Sequence, residues 1–237
     1  MTEVPKRLAI MQPYFLSYVG YFQLIQSVDL FIIYDNIKYT KKGWINRNRF
    51  LQNGQAMTFS LPLKSASDRL NVAARELSSS FDRDKFISQI EEAYRKAPHF
   101  SPAMALLENI VRHDEVNLFE YIYTSVQMVC SYLGVGTRIL KSSELGIDHT
   151  LAGKSKVIAL CQHVGADTYI NAIGGKSLYD REEFGLNGID LRFLKSNPLE
   201  YRQFDESFIP WLSIIDVMMF NSVQDIKGYL RAGYELE

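Results

Sequence analysis

The chain has 237 residues, 47% of them hydrophobic and 22% charged, which is enough to enclose one sizeable core and makes a single domain over 1–237 the default. Its formal net charge is −1 with a pI of about 6.4, so no overall field draws it to DNA or to an anionic membrane, and only a local patch can bind a polyanion. Lys6-Arg7 are followed by only four apolar residues before Gln12, too few for a signal segment, and the apolar run Phe208 to Phe220 is cut by Ser213 and Asp216 and is too short to span a bilayer. These features predict a cytoplasmic protein without membrane insertion.

The predicted elements alternate. Leu8 to Met11 and Leu30 to Tyr34 are short runs of β-forming residues, and between them Val19, Phe22, Leu24 and Ile25 recur at roughly helical spacing. This is a β–α–β opening and argues for a parallel sheet. Asn53-Gly54 marks a hairpin turn between Arg49-Phe50-Leu51 and Met57 to Leu63, with Pro62 ending the second strand. The middle of the chain, about 82–134, reads as a helical insert or lid: residues 82–96 with Asp82 as cap, a second helix opening at Ser101-Pro102, and a third from Asn117 and Glu120 to Gly134. Alternation resumes with a strand at Arg138 to Lys141, a helix from about Leu151 to Val164 closed by Gly165, and strands at Thr168 to Ala172 and Ile189 to Leu194. The predicted class is α/β, a three-layer, mostly parallel sheet flanked by helices, with that helical subregion in the middle.

Chemistry concentrates in two stretches. The first is the elbow Gln12-Pro13-Tyr14, where the first strand turns toward its helix and leaves backbone N–H groups free for an anion. Gln12 can donate and accept, which suits a site residue and a helix cap equally, and Tyr14 offers a ring with a polar tip. Tyr14, Phe15, Tyr18, Tyr21 and Phe22 read first as core. The second stretch runs from Asn36 to Arg49, where Lys38, Lys41, Lys42, Arg47 and Arg49 meet no acidic residue. Such clusters are most often solvated loops, but Gly43-Trp44 adds a joint and a large ring, and Arg47 between Asn46 and Asn48 carries the planar fork suited to a diphosphate. Asp35, at the end of the second strand, is a candidate base or a turn cap.

Other candidates are weaker. Gly174-Gly175-Lys176-Ser177 lacks the earlier glycine of a Walker loop, yet its backbone can approach an anion; a plain tight turn is at least as good a reading. Asp180 and Glu183 read as the cap of the helix that follows. His99, His113, His149 and His163 share no metal-ligand spacing, which predicts no structural zinc, and His149 reads as a capping or surface residue before a catalytic one. Cys130 and Cys161, each among aliphatic residues, read as small buried hydrophobes in a reducing compartment. Asp216 sits inside an apolar run, where a carboxylate requires partners.

Gln12-Pro13-Tyr14, Gly20-Tyr21-Phe22, Asp29, Tyr34-Asp35 and Trp44-Ile45-Asn46-Arg47-Asn48 resemble the signature of the WbqC-like family. The resemblance continues in Tyr169-Ile170-Asn171, Gly174-Gly175-Lys176, Leu178-Tyr179, Phe184, Gly188-Ile189 and the block Phe208, Pro210, Leu212 to Asp216 with Asn221. One departure is Asn171, where many members carry a small serine-centred motif. The resemblance implies a cytoplasmic protein of O-antigen or related surface-polysaccharide (lipopolysaccharide) biosynthesis, a glycine transferase that adds an aminoacyl group to an amino sugar. It transfers no catalytic residues and names no cofactor. On residue chemistry alone, Asp35 would take the proton of the attacking amine, with Gln12 and Tyr14 as polar orienters. Trp44, Asn46, Arg47, Asn48, Lys42, Gly174, Gly175 and Lys176 would bind a nucleotide-linked amino sugar. Two alternatives stay open: an ATP-dependent amide-forming ligase of nucleotidyltransferase-like fold, against which the absence of paired histidines at the elbow counts, and a non-catalytic module that binds a nucleotide sugar or tRNA.

Overall fold

A computed structural model describes residues 7–204 and 207–237; Lys6, part of the N-terminal reading above, lies outside the described residues. Five strands run parallel: β1 (Arg7–Met11), β2 (Leu30–Ile33), β5 (Arg138–Lys141), β6 (Thr168–Ala172) and β7 (Asp190–Ser196). A short β8 (Tyr234–Leu236) adds antiparallel to β7, and the sheet order is β5-β2-β1-β6-β7-β8. The chain therefore starts at the centre, moves outward through β2 and β5, and returns to lay β6 on the other side of β1. β3 (Arg47–Gln52) and β4 (Gln55–Ser60) form a separate hairpin. Its turn is Asn53-Gly54, both at positive φ.

The central strands bury both faces. In β1 and β2, Leu8, Ile10, Leu30 and Ile32 pack with α5 (Gly153–Val164) and α6 (Arg181–Leu186) residues such as Leu160 and Phe184. Ala9, Phe31 and Ile33 face the larger core on the other side. A parallel sheet covered on both faces needs such unbroken apolar runs, so the architecture is a three-layer α/β sandwich. The larger layer holds α1 (Val19–Gln26), α2 (Arg83–Tyr94), α3 (Phe100–Arg112), α4 (Leu118–Leu133), α7 (Ile214–Phe220) and α8 (Val223–Ala232).

The three middle helices form where the sequence puts them. Asp82 and Asn117 accept from the N–H of Lys85 and Glu120, and Gly134 closes α4 at φ +66. They are not set apart as a lid: Ile90, Leu107 and Phe119 belong to the same buried cluster as Phe22 and Phe31. α3 begins at Phe100, not after Ser101; Pro102 is then the third helical residue, where a missing N–H still costs no intrahelical bond. α7 and α8 are not in the sequence reading, although Ser222 and Asp225 form a reciprocal capping box at the start of α8.

Asp216, fully buried in α7, accepts from Tyr94 Oη at 2.8 Å, Tyr201 Oη at 2.6 Å and Gln203 Nε2 at 2.7 Å. Burial holds its carboxyl above the ordinary value, and the three donors only partly offset that. Tyr94 Oη also accepts from Leu51 N at 2.7 Å. Tyr94→Phe therefore strands an N–H and strips a donor from a buried carboxylate, which should lower stability by about 2–4 kcal/mol in urea unfolding near pH 7. A raised folded pKa means that stability from this group is fully present below its unfolded pKa and is lost as pH rises through the folded one. The Tyr94→Phe penalty should accordingly shrink as the pH is lowered from 7 through the raised pKa of Asp216, because the protonated carboxyl depends less on that donor.

Candidate functional site

Where the strand order reverses, between β1 and β6, neighbouring connections leave on opposite faces and open a crevice outside the carboxyl ends of the strands. A cavity of about 660 Å³ lies there, a size that suits a small organic ligand. Met11 from β1, Ala172 from β6 and Leu194, Lys195 and Ser196 from β7 form its base; Tyr14, Ser17, Tyr18 and Gly20 from the elbow and α1 form one wall.

Trp44, Asn48, Arg49 and Trp211 also line it. The chain has two tryptophans, and both are here, 45% and 59% exposed. Both rings are therefore left partly in solvent beside the cavity, where a packed interior would have covered them. Tyr18 lies 5.1 Å from Trp211, centroid to centroid. The Arg49 guanidinium sits 5.6 Å from the Trp44 ring centre and donates from Nη2 to the Trp211 carbonyl at 2.9 Å, so one side chain joins the Trp44 ring to the Trp211 backbone. Arg49 and Lys195 are the cations of the lining, and it contains no carboxylate among the described residues.

The wall is held under strain. Three described non-glycine residues have positive φ: Asn53, in its hairpin turn, Trp211 (+61), which lines the cavity, and Leu16 (+46), a buried residue next to the lining residue Ser17. Neither leucine nor tryptophan favours that region, and such residues persist only where surroundings over-determine them. The Leu16 carbonyl accepts from Asn48 Nδ2 at 2.9 Å and Ser213 Oγ at 2.6 Å, and the Ser17 carbonyl from Ile214 N at 2.8 Å. Ser17 itself is 4% exposed, and its hydroxyl has no hydrogen-bond partner.

The structure gathers part of the predicted set. Tyr14, Trp44 and Asn48 line the cavity, and Gln12 stands behind Tyr14, accepting from its hydroxyl at 3.1 Å. Burial raises the Tyr14 pKa, which keeps the phenol a neutral donor. Arg47 stacks at 5.1 Å on Trp44 and donates to the Lys42 carbonyl, while Asn46 is buried between Tyr39 Oη and the Leu61 carbonyl. These two support the Trp44 loop and do not line the cavity; Lys42 is exposed beside them. Gly174, Gly175 and Lys176 lie in a 3-10 turn (Ile173–Leu178) directly after β6. There a Cβ on Gly175 would collide with the Asn171 side chain, and Lys176 pairs with Glu237 at 2.6 Å.

Asp35 lies one strand over, past the end of β2, and is not among the lining residues. It is 5% exposed and accepts from Ser142 Oγ at 2.8 Å and Ser143 N at 2.9 Å. Burial pushes its carboxyl up, but hydrogen bonds from Ser143 and Ser142 outweigh that and hold it below the ordinary range. Asn36 continues the network to Lys156 Nζ at 2.7 Å and to His149 Nδ1 at 3.0 Å, and His149 Nε2 meets the Leu145 carbonyl. Burial pushes both cysteine thiols up to about 12, so neither offers a thiolate. Among the described residues no three His, Cys, Asp or Glu side chains gather to hold a metal ion.

The residues missing from the predicted set are Ser17, Tyr18, Arg49, Lys195 and Trp211. Tyr18 looks like a core aromatic in sequence, and only the rarity of tryptophan beside Pro210 singles out Trp211.

The geometry defines a doubly wound α/β protein with an aromatic-walled, cation-edged crevice at the switch point of its sheet. The chain belongs to the WbqC-like protein family, whose description matches residues 12–228. It is similar to the uncharacterized protein Rv1507c of Mycobacterium tuberculosis (strain ATCC 25618 / H37Rv), with 32% identity over 232 residues, 95% of this chain and 98% of that protein. Among the described residues no helix is long and apolar enough to cross a membrane.

Because Arg49 joins the Trp44 ring to the Trp211 backbone, Arg49→Ala should loosen the Trp211 turn, shift tryptophan emission to longer wavelength and lower stability by about 1 kcal/mol in urea unfolding. Trp44→Phe and Trp211→Phe in that background assign the shift to one ring.

Proposed function

We propose that this protein transfers an aminoacyl group, glycyl in the simplest case, to the amine of a nucleotide-linked amino sugar used for surface polysaccharides such as O-antigen. The observation that carries the reading is the crevice itself: two exposed tryptophans and Tyr18 suit a base or sugar ring, and Arg49 and Lys195 with no described carboxylate suit an anion. Family membership supports the setting but supplies no residue roles.

The chemistry follows from the groups available. The free amine attacks the carbonyl of an activated aminoacyl ester, a new N–C bond forms, the C–O bond of the ester breaks, and the proton shed by nitrogen passes to the leaving alkoxide. Such a route needs positioning more than a protein base. This matters because Asp35, the base suggested by sequence, is committed to Ser142 and Ser143 away from the lining. Tyr14, kept protonated by burial and backed by Gln12, is the donor for the developing oxyanion.

A second reading, a non-catalytic nucleotide-sugar module, draws on the same lack of a described carboxylate or histidine in the lining. Mass spectrometry of incubations with nucleotide-linked amino sugars and aminoacyl-tRNA or ATP plus amino acid separates the two. The product expected is an aminoacyl amide of the sugar nucleotide, and its formation only with ATP and free amino acid moves the assignment to a ligase. Binding of the sugar nucleotide without any amide supports the module. Trp44→Ala should lower kcat/KM about tenfold, the worth of one stacked ring, mainly through KM. Tyr14→Phe should lower kcat, whereas Asp35→Asn should chiefly reduce stability; an Asp35→Asn protein that is folded but inactive restores Asp35 as the base.

A further inference from the structure

We propose that the start of α1 is the phosphate subsite of the crevice, with Ser17 as its specifying side chain. The inference rests on the preceding reading only for the class of ligand, a nucleoside diphosphate.

Four independent features meet there. α1 begins without a side-chain cap and with no acidic residue in its first turn, so the N–H groups that open the helix have no intrahelical acceptor. Ser17, just ahead of that turn, is almost wholly buried and lines the cavity, yet its Oγ is unpartnered. Serine hydroxyls ordinarily satisfy themselves on nearby backbone. Here the bonds that fix Leu16 in its left-handed conformation hold the residue in place. Gly20 also lines the cavity; a Cβ there would come within 2.7 Å of Ser196 Oγ, so the approach of α1 to β7 depends on that glycine. Finally, Arg49 and Lys195 supply positive charge, and Arg49 Nε is likewise buried without a partner.

A phosphoryl oxygen satisfies all of these at once. It accepts from Ser17 Oγ and from the backbone N–H groups of Val19 and Gly20, and it faces Arg49 and Lys195. The ring of the same ligand then falls against Tyr18, Trp44 and Trp211. The competing loop, Gly174 to Lys176, is less suited: the space beside Gly175 is taken by Asn171, and Lys176 is paired with Glu237.

The test is isothermal titration and thermal melting of the full chain with UDP, GDP and dTDP, their nucleosides, and inorganic pyrophosphate, for wild type and Ser17→Ala. Wild type should bind at least one diphosphate about tenfold more tightly than its nucleoside. Ser17→Ala should abolish most of that ratio while leaving nucleoside affinity unchanged, and its unliganded Tm should equal or exceed that of wild type, because the hydroxyl has no partner to lose. An unchanged ratio, a Tm several degrees lower without ligand, or no response to any diphosphate or to pyrophosphate overturns the subsite. None of these readouts needs turnover: amide formation with an unchanged ratio sinks the subsite alone, and a lost ratio with no amide formation under any donor sinks the transferase alone.

Discussion

Three segments remote in sequence meet at one carbonyl oxygen. Leu16 O accepts from Asn48 on the β3 strand and from Ser213 at the start of α7, and the next carbonyl, Ser17 O, accepts from Ile214. Without these bonds the elbow would relax out of its left-handed turn, since leucine pays steric energy there that glycine would not. The same bonds set the distance between the elbow, which carries Tyr14 and Tyr18, and the two segments that carry Trp44 and Trp211. The crevice is therefore not a gap left over from packing. Its walls are fixed to one another through the backbone of the turn that opens α1.

The sheet was legible because parallel strands buried on both faces announce themselves as short apolar runs: Leu8 to Met11, Leu30 to Ile33 and Thr168 to Ala172 needed no long-range information. Capped helices were legible for the same local reason, as Asp82, Asn117 and Asp180 each accept the predicted N–H. The site was half legible. Tyr14, Trp44 and Asn48 come from stretches whose chemistry stands out, whereas Trp211 and Lys195 reach the crevice only by virtue of strand order and a turn at positive φ, neither of which leaves a local pattern. Asp35 shows the opposite failure. Its place at a strand end suggests a base, but which strand end borders the crevice depends on β6 returning beside β1, and β2 lies on the other side.

The two strand-end neighbourhoods divide the polar work. At the ends of β2 and β5, Asp35, Asn36, Ser142, His149 and Lys156 satisfy one another, and each hydrogen bond between them consumes a donor or acceptor that a ligand would need. At the ends of β1, β6 and β7 the lining is mostly apolar, and Ser17 Oγ and Arg49 Nε are left without partners. Polar groups buried and unpaired are costly, so a fold retains them where something outside the chain completes them. The contrast supports the proposal of a ligand at the second neighbourhood, while the first is satisfied within the chain.

The outer wall depends on the core in turn. Asp216 begins α7 and draws Tyr201 and Gln203 inward, and Gln203 also holds Ile209 through both its amide groups. The segment between them runs back to Trp211, whose carbonyl is then met by Arg49 and whose ring meets Tyr18. A carboxylate with no exposure to solvent thereby governs a tryptophan that is mostly exposed. Burying Asp216 is unfavourable in itself, since its three donors do not bring its pKa back to the ordinary value. Its return is positional. Three directional bonds to one group fix Tyr201 and Gln203, described residues outside any strand or helix, and the ligand proposed above would stack on the Trp211 that follows them.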